Sequence, residues 1–168
     1  MKRIHIVGRR NHGKTTLTVE VVSLLSQKGY EVGTLKHSSH HHVLDTPGKD
    51  SYRHREAGGN PAVIVTPDIT GIFIKTKSVD NIFNTLDTLY QGCDLVVVEG
   101  NIDSVGPKLE VWREERGTSP LALEREDIVA VVSDDTLPED VTTQVLPRQD
   151  LEAIVQKIVD VLGLPKKD

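Results

Sequence analysis

Hydrophobic residues in this chain fall into two rhythms, short unbroken runs and stretches at helical spacing, and the two alternate. Ile4, Ile6 and Val7 form a short apolar run, and Leu17, Val21, Leu24 and Leu25 follow at helical spacing. They predict a strand and then a helix from Lys14 to Gln27, with Gly29 placed for a left-handed cap. Tyr30 to Leu35 reads as a second strand. A strand–helix–strand unit of this spacing implies parallel pairing through a right-handed crossover.

The rhythm breaks at Lys36-His37-Ser38-Ser39-His40-His41-His42, a polar loop. Beyond it, Asp50 or Ser51 is placed to cap a short helix over Tyr52 to Ala57, closed by Gly58-Gly59. Pro61 to Thr66 and Ile69 to Lys75 read as strands joined by a Pro67-Asp68 turn, and Ser78 as the cap of a helix carrying Ile82, Phe83, Leu86 and Leu89. Asp94 to Gly100 contains four consecutive apolar residues, the mark of a central strand buried on both faces. Leu109 to Trp112 reads as a strand outside the core unit, and Ile128 to Val132 as a further buried strand. Leu151, Ile154, Val155, Ile158 and Leu162 line a final helix stopped by Gly163-Leu164-Pro165. The order predicts an α/β fold with a mostly parallel sheet flanked by helices, in one domain spanning 1–168.

Between the first strand and helix lies Gly8-Arg9-Arg10-Asn11-His12-Gly13-Lys14-Thr15-Thr16, which fits the G-x-x-x-x-G-K-[ST] phosphate loop. Gly8 and Gly13 permit the torsions that turn several N–H groups toward one anion at the positive end of the helix. Lys14 is placed to reach the outer phosphates and the Thr15 hydroxyl to hold Mg²⁺. Asn11, His12 and Thr16 complete the loop and are assigned to the same ligand, a nucleoside triphosphate.

Composition narrows the class. The 168 residues carry 37% hydrophobic positions and a net charge of −5, which suits a core-forming domain and argues against nucleic acid as partner. Cys93 is the only cysteine, so no disulfide framework or cysteine-based zinc site is available. The apolar run after Met1-Lys2-Arg3 is too short for a signal peptide, and no run reaches the roughly 20 residues of a membrane span, so the expectation is a cytoplasmic protein without a membrane partner.

Triphosphate-bound Mg²⁺ is usually completed by acidic groups. Glu99 stands at the end of the buried strand, in the Walker B position. Asp45 opens Asp45-Thr46-Pro47-Gly48, similar to the D-x-x-G switch of GTPases but also ordinary turn material. Lys14, Asp45 and Glu99 are the expected catalytic set, with Thr15, Asp45 and Glu99 toward the metal. His37, His40, His41 and His42 offer pairs of imidazoles in either helix or strand, yet no patterned Cys or carboxylate completes a site. Arg9, Arg10 and the Arg53-His54-Arg55 segment are equally suited to an anion or to solvent. The [NT]-K-x-D guanine signature is missing, since Thr76-Lys77-Ser78-Val79 lacks the acid and precedes the Walker B strand. Ser133-Asp134-Asp135 follows the next buried strand, and Asp134 is the candidate for reading a guanine edge.

The phosphate loop, together with Leu35-Lys36-His37, Asp45-Thr46-Pro47-Gly48-Lys49-Asp50-Ser51-Tyr52-Arg53, Ala57-Gly58, Val98-Glu99-Gly100 and Pro107-Lys108-Leu109-Glu110-Val111, resembles the MobB-type GTP-binding accessory family of molybdopterin guanine dinucleotide biosynthesis. The resemblance spans most of the first two-thirds of the chain. It implies a P-loop NTPase-like fold, GTP and Mg²⁺ as ligands, weak GTP hydrolysis, and a homodimer built through strands beyond the nucleotide-binding core. It also implies an adapter role beside the molybdenum cofactor guanylyltransferase, with molybdopterin as a further candidate ligand. Two departures stand out: Arg10-Asn11-His12 replaces the small residues common in the family loop, and Asn101-Ile102 replaces Phe-Lys after Glu99-Gly100. The competing readings are a nickel-delivery GTPase, motivated by His40 to His42, and a small-molecule kinase, for which Trp112-Arg113-Glu114-Glu115-Arg116 is the one lid-like stretch.

Overall fold

The computed structural model describes residues 1–76 and 79–167, with the backbone alone for 79–81. In chain order the elements are β1 (Arg3–Val7), α1 (Lys14–Gln27), β2 (Val32–Lys36), α2 (Asp50–Glu56), β3 (Ala62–Val65), β4 (Thr70–Phe73), α3 (Val79–Leu86), β5 (Leu95–Glu99), β6 (Lys108–Val111), β7 (Ile128–Val132), β8 (Val145–Leu146) and α4 (Leu151–Leu162). They fall into two compact units, one formed by 1–38 with 87–168 and the other by 39–86. Among the described residues no helix is long and apolar enough to cross a membrane.

The first unit is a six-stranded sheet in the order β2-β5-β1-β6-β7-β8, and every pairing in it is parallel. Helices α1 and α4 supply a large share of its core, with Leu17, Val21, Leu25, Ile154 and Ile158 buried against Ile4, Ile6, Val97 and Leu109. Each such aliphatic side chain contributes about 1.5–3 kcal/mol on burial. Gly29 adopts the expected left-handed conformation after α1 (φ 81°). Asp150 caps α4 by accepting from Ala153 N at 2.9 Å. Since all strands run the same way, the segments after β1, β2, β5, β6 and β7 leave the sheet at one end, where open α/β sheets bind ligands.

One strand lies elsewhere than its pattern predicts. The segment expected outside the core is β6, which pairs with β1 on one side and β7 on the other. Its charged residues disguised it. Lys108 is fully buried, donating to Ser104 O at 2.7 Å, Gly106 O at 3.0 Å and Asp127 Oδ2 at 2.6 Å. Glu110 is equally enclosed and accepts from Leu121 N at 2.7 Å and Ala122 N at 2.9 Å. Buried charges with complete partners are tolerated in a central strand. The two-residue β8 is too short to leave a periodic trace.

In the second unit, β3 and β4 pair antiparallel as a hairpin, closed by Thr66, whose Oγ1 donates to Ile69 O at 2.8 Å. Lys49, rather than Asp50 or Ser51, holds the N-cap position of α2 without a side-chain cap bond, and Ser51 Oγ instead donates to Asp45 Oδ1 at 3.1 Å. The predicted cap at Ser78 lies outside the described residues, as do Lys77 and Ser78 of the Thr76-Lys77-Ser78-Val79 string.

Replacing Glu110 with Ala strips the acceptor from two N–H groups at buried or half-buried positions. The expected loss is about 2–4 kcal/mol, read as a lower urea midpoint at unchanged slope.

Acid stability follows from two groups. Burial, aided by the Lys108 and Arg3 charges and opposed by the bond to Gly100 O, lowers His5 to about 4. The Arg125 hydrogen bond, reinforced by Lys108, lowers Asp127 to about 2. The unfolded chain protonates His5 near 6.5, ahead of the folded one, so stability falls from pH 6.5 to about 4. Asp127 then removes more between about 3.8 and 2, because its ionised form is the one the fold prefers. In unfolding measured across pH, His5→Asn is expected to flatten the upper limb and Asp127→Asn the lower.

Candidate functional site

The loop from Gly8 to Thr15 is shaped by its glycines and by the neighbouring end of β6. A methyl group on Gly8 would lie 2.4 Å from Val111 O, so the loop's first turn packs directly on the strand beside it. Gly13 (φ 97°) is the left-handed N-cap of α1, and Leu17 N donates to Gly13 O at 3.1 Å to start the helix. Asn11, also in the left-handed region (φ 67°), completes the turn. The result is an anion-sized bend of backbone at a helix N-terminus.

His12 has its side chain turned inward. The imidazole is buried; Nδ1 accepts from Arg113 N at 3.0 Å and Nε2 lies 3.2 Å from Thr118 Oγ1. Burial, with the charges of Lys14, Arg116, Arg113 and Arg9, holds its pKa down, and an accepting Nδ1 leaves the proton on Nε2. Any contact of His12 with a bound anion therefore rests on its backbone. Of Arg10-Asn11-His12, the histidine serves the loop's own architecture by tying it to the 112–118 segment, while Arg10 and Asn11 are exposed.

The side chains next to the loop converge. Lys14 Nζ donates to Arg9 O at 2.8 Å, a bond it can exchange for a phosphate oxygen. Its pKa is lowered, first by burial and then by Lys36, with Glu99 opposing. Thr15 Oγ1 donates to Glu99 Oε1 at 2.7 Å, and Lys36 Nζ approaches the same oxygen at 3.1 Å. Ile6 and Lys36 flank Glu99 in the sheet register, so strand pairing places this carboxylate at the helix terminus. Thr16 is exposed one residue further along.

At the ends of β6 and β7 lies a cleft of about 260 Å³ lined by Trp112, Arg113, Ser133, Asp134, Asp135 and Arg148 among others. Asp134 Oδ1 accepts from Arg148 N at 2.7 Å and Asp135 Oδ2 from Glu114 N at 2.9 Å, which fixes both carboxylates. Arg113 reaches from this cleft to the phosphate loop, where its Nη2 would sit 3.0 Å from a methyl on Gly13.

Asp45 belongs to the second unit. There its carboxylate is buried, accepting from Ser51 Oγ at 3.1 Å with Oδ2 3.8 Å from Arg55 Nε. The Arg55 guanidinium in turn stands 5.3 Å from the Tyr52 ring centre and 5.6 Å from that of Phe73. Among the described residues no group of three or more His, Cys, Asp or Glu side chains is arranged to hold a metal ion. Arg148 has no place in the sequence reading of the site, and Lys36 and Arg113 enter it only within the resembling Leu35-Lys36-His37 segment and the lid-like stretch. The signal for Lys36 was its place at the end of a strand, which acquires meaning only with the knowledge that β2 is the neighbour of β5.

A family model described as Molybdopterin guanine dinucleotide synthesis protein B matches residues 3–134. The chain is 30% identical over 155 residues to the molybdopterin-guanine dinucleotide biosynthesis adapter protein of Escherichia coli (strain K12), covering 88% of this chain and 86% of that protein. It is 33% identical over 140 residues to the protein of the same name from Haemophilus influenzae, covering 82% of this chain and 77% of the relative. Among solved structures, the MobB protein homolog from Bacillus stearothermophilus superposes with a TM-score of 0.71 at 21% identity, covering 97% of this chain and 99% of that one. A crystal structure of molybdopterin-guanine biosynthesis protein B gives 0.68 at 25% identity, covering 96% and 99%. The parallel sheet, the glycine-shaped loop after its first strand and this match over most of the chain agree: the chain belongs to the molybdopterin guanine dinucleotide synthesis protein B (MobB) family and has its P-loop NTPase-like fold.

Proposed function

We propose that this protein is a GTP-binding adapter with weak GTPase activity in molybdenum cofactor biosynthesis, assisting the guanylyltransferase that forms molybdopterin guanine dinucleotide. The observation that carries the reading is the convergence of Lys14, Thr15 and Glu99 at the N-terminus of α1, with Thr15 and Glu99 in direct hydrogen bond. A hydroxyl and a carboxylate from separate elements are hard oxygen donors of the kind that Mg²⁺ accepts, the remaining positions falling to phosphate and water. The donor set fits the ion. Bound there, Mg²⁺ would neutralise charge on the outer phosphates.

The chain's own residues do the rest. The backbone of Gly8 to Gly13 and the Lys14 ammonium hold the phosphates, and Asp134 reads the base from the cleft beyond β7. A carboxylate engages both the N1–H and the amino group of guanine, and a site of that design rejects adenine, which offers no N1 proton. Glu99 is occupied by Thr15 and Lys36, which suits a metal-side group better than a general base. Turnover is then of the intrinsic kind, of order 10⁻⁴ s⁻¹, and binding followed by handover is the useful event. The adapter role is supported by the names carried by the Escherichia coli and Haemophilus influenzae relatives. For the homodimer, the support is the β3–β4 hairpin, on which Val63, Val65 and Ile72 are exposed, apolar positions suited to pairing with a second copy.

Displacement of a fluorescent GTP analogue by GTP and ATP in Mg²⁺ tests the site. Lys14→Ala is expected to weaken triphosphate binding about 100-fold or more, the scale of losing a charge-assisted contact at a desolvated anion. Wild-type affinity in that variant would refute the loop assignment. In the same assay Asp134→Asn is expected to cut the preference for GTP over ATP at least about tenfold, from the loss of one of two hydrogen bonds to a buried base edge. An unchanged preference would remove Asp134 from base recognition.

A further inference from the structure

The end of β2 carries a cation, Lys36, beside the Thr15–Glu99 pair. Lys36 and Glu99 are register partners in adjacent parallel strands, so their side chains leave the sheet on the same face. The Lys36 ammonium stands 3.1 Å from Glu99 Oε1, the very oxygen that accepts from Thr15 at 2.7 Å. The main chain beneath is tightly held: His37 N donates to Glu99 O at 2.9 Å, and a methyl on Gly100 would come within 3.2 Å of His37 O. The two side chains differ in freedom. That of Glu99 is 11% exposed and that of Lys36 is 61% exposed, so the ammonium can exchange the carboxylate for another anion without leaving a buried niche.

We propose that Lys36 is the residue by which this site tells a nucleoside triphosphate from a diphosphate. The inference rests on the nucleotide-binding reading above and adds a second cation to it, delivered by the end of β2 where Lys14 comes from the start of α1. Thr15 and Glu99 would hold a divalent ion through the oxygen that Lys36 now approaches, and like-charge repulsion would free the Lys36 ammonium for another anion. With a triphosphate, the anion on offer beside that position would be the γ-phosphate. A diphosphate lacks this group, and Lys36 then has only Glu99 to return to. An ammonium with three rotatable donors on a flexible stem is suited to such an exchange.

The test measures GTP and GDP affinities in Mg²⁺ for the full-length wild type, Lys36→Met and Lys36→Arg, with thermal melting of each. Lys36→Met is expected to weaken GTP at least about tenfold, the scale of one charge-assisted contact, while GDP changes less than about twofold; Lys36→Arg keeps most of the GTP-over-GDP ratio. Equal weakening of both nucleotides, or an unchanged ratio in Lys36→Met, overturns the proposal and reduces Lys36 to a counter-ion of Glu99. Should Lys36→Met fail to fold, Lys36→Gln, which retains a hydrogen-bond donor, is read on the same ratio. Failure of the wild type to bind either nucleotide is a separate result, which defeats the nucleotide reading and this assignment with it.

Discussion

The parallel pairing of β1 with β5 on one side and β6 on the other is the constraint on which the site depends. Parallel strands end together, and these three end around one loop. β5 contributes Glu99, which the Thr15 hydroxyl meets at the start of α1. β6 contributes a carbonyl, Val111 O, so close that only a residue without a side chain fits opposite it at position 8. The glycine at the start of the loop is thus required by the neighbouring strand as well as by the loop's own bend. A side chain there would separate the loop from β6, and with it the His12 bond to Arg113.

Much of the architecture was legible because apolar periodicity and parallel topology report the same thing. The strand–loop–helix at the start and the buried run ending at Glu99 are strongly patterned, and they stand within about a residue of where pattern places them. Legibility failed where burial and polarity separate. β6 carries Lys108 and Glu110 in the middle of the sheet, and both are enclosed because loops fold back to satisfy them: Asp127 and two carbonyls for the lysine, two N–H groups for the glutamate. Pattern reading scores such residues as solvent-facing. The cost of burying charge is offset by complete hydrogen bonding, and those partners come from the irregular segments on either side of β6, which carry no periodic pattern.

The site shows the same division. Residue types with a fixed local task, the glycines and Lys14-Thr15, can be read from spacing. His12 could not be read beyond its membership of the loop, since whether an imidazole faces outward or inward depends on Arg113 and Thr118, about a hundred residues away. The Asp45-Thr46-Pro47-Gly48 pattern suggests a switch carboxylate and is silent on Ser51 and Arg55, the partners six and ten residues along the chain that it has within its own unit. A short motif records the residues present and omits the partners that occupy them.

The chain as a whole is acidic, at −5, yet Lys14 and Lys36 both act on the region of Glu99, and Arg9, Arg113 and Arg116 all bear on His12. A cationic pocket on an acidic protein attracts a small, highly charged anion at short range while the overall field discourages long polyanions. On the proposed function this suits a free nucleotide. Between Lys14 and Lys36, the Glu99 carboxylate is held by the Thr15 hydroxyl and the Lys36 ammonium, so no oxygen of it is set aside for a water. On the same proposal the binding energy goes to phosphate and base, and a site with little means of activating water would keep its triphosphate for a partner to act on, which is the physical sense in which such an adapter would differ from an efficient hydrolase.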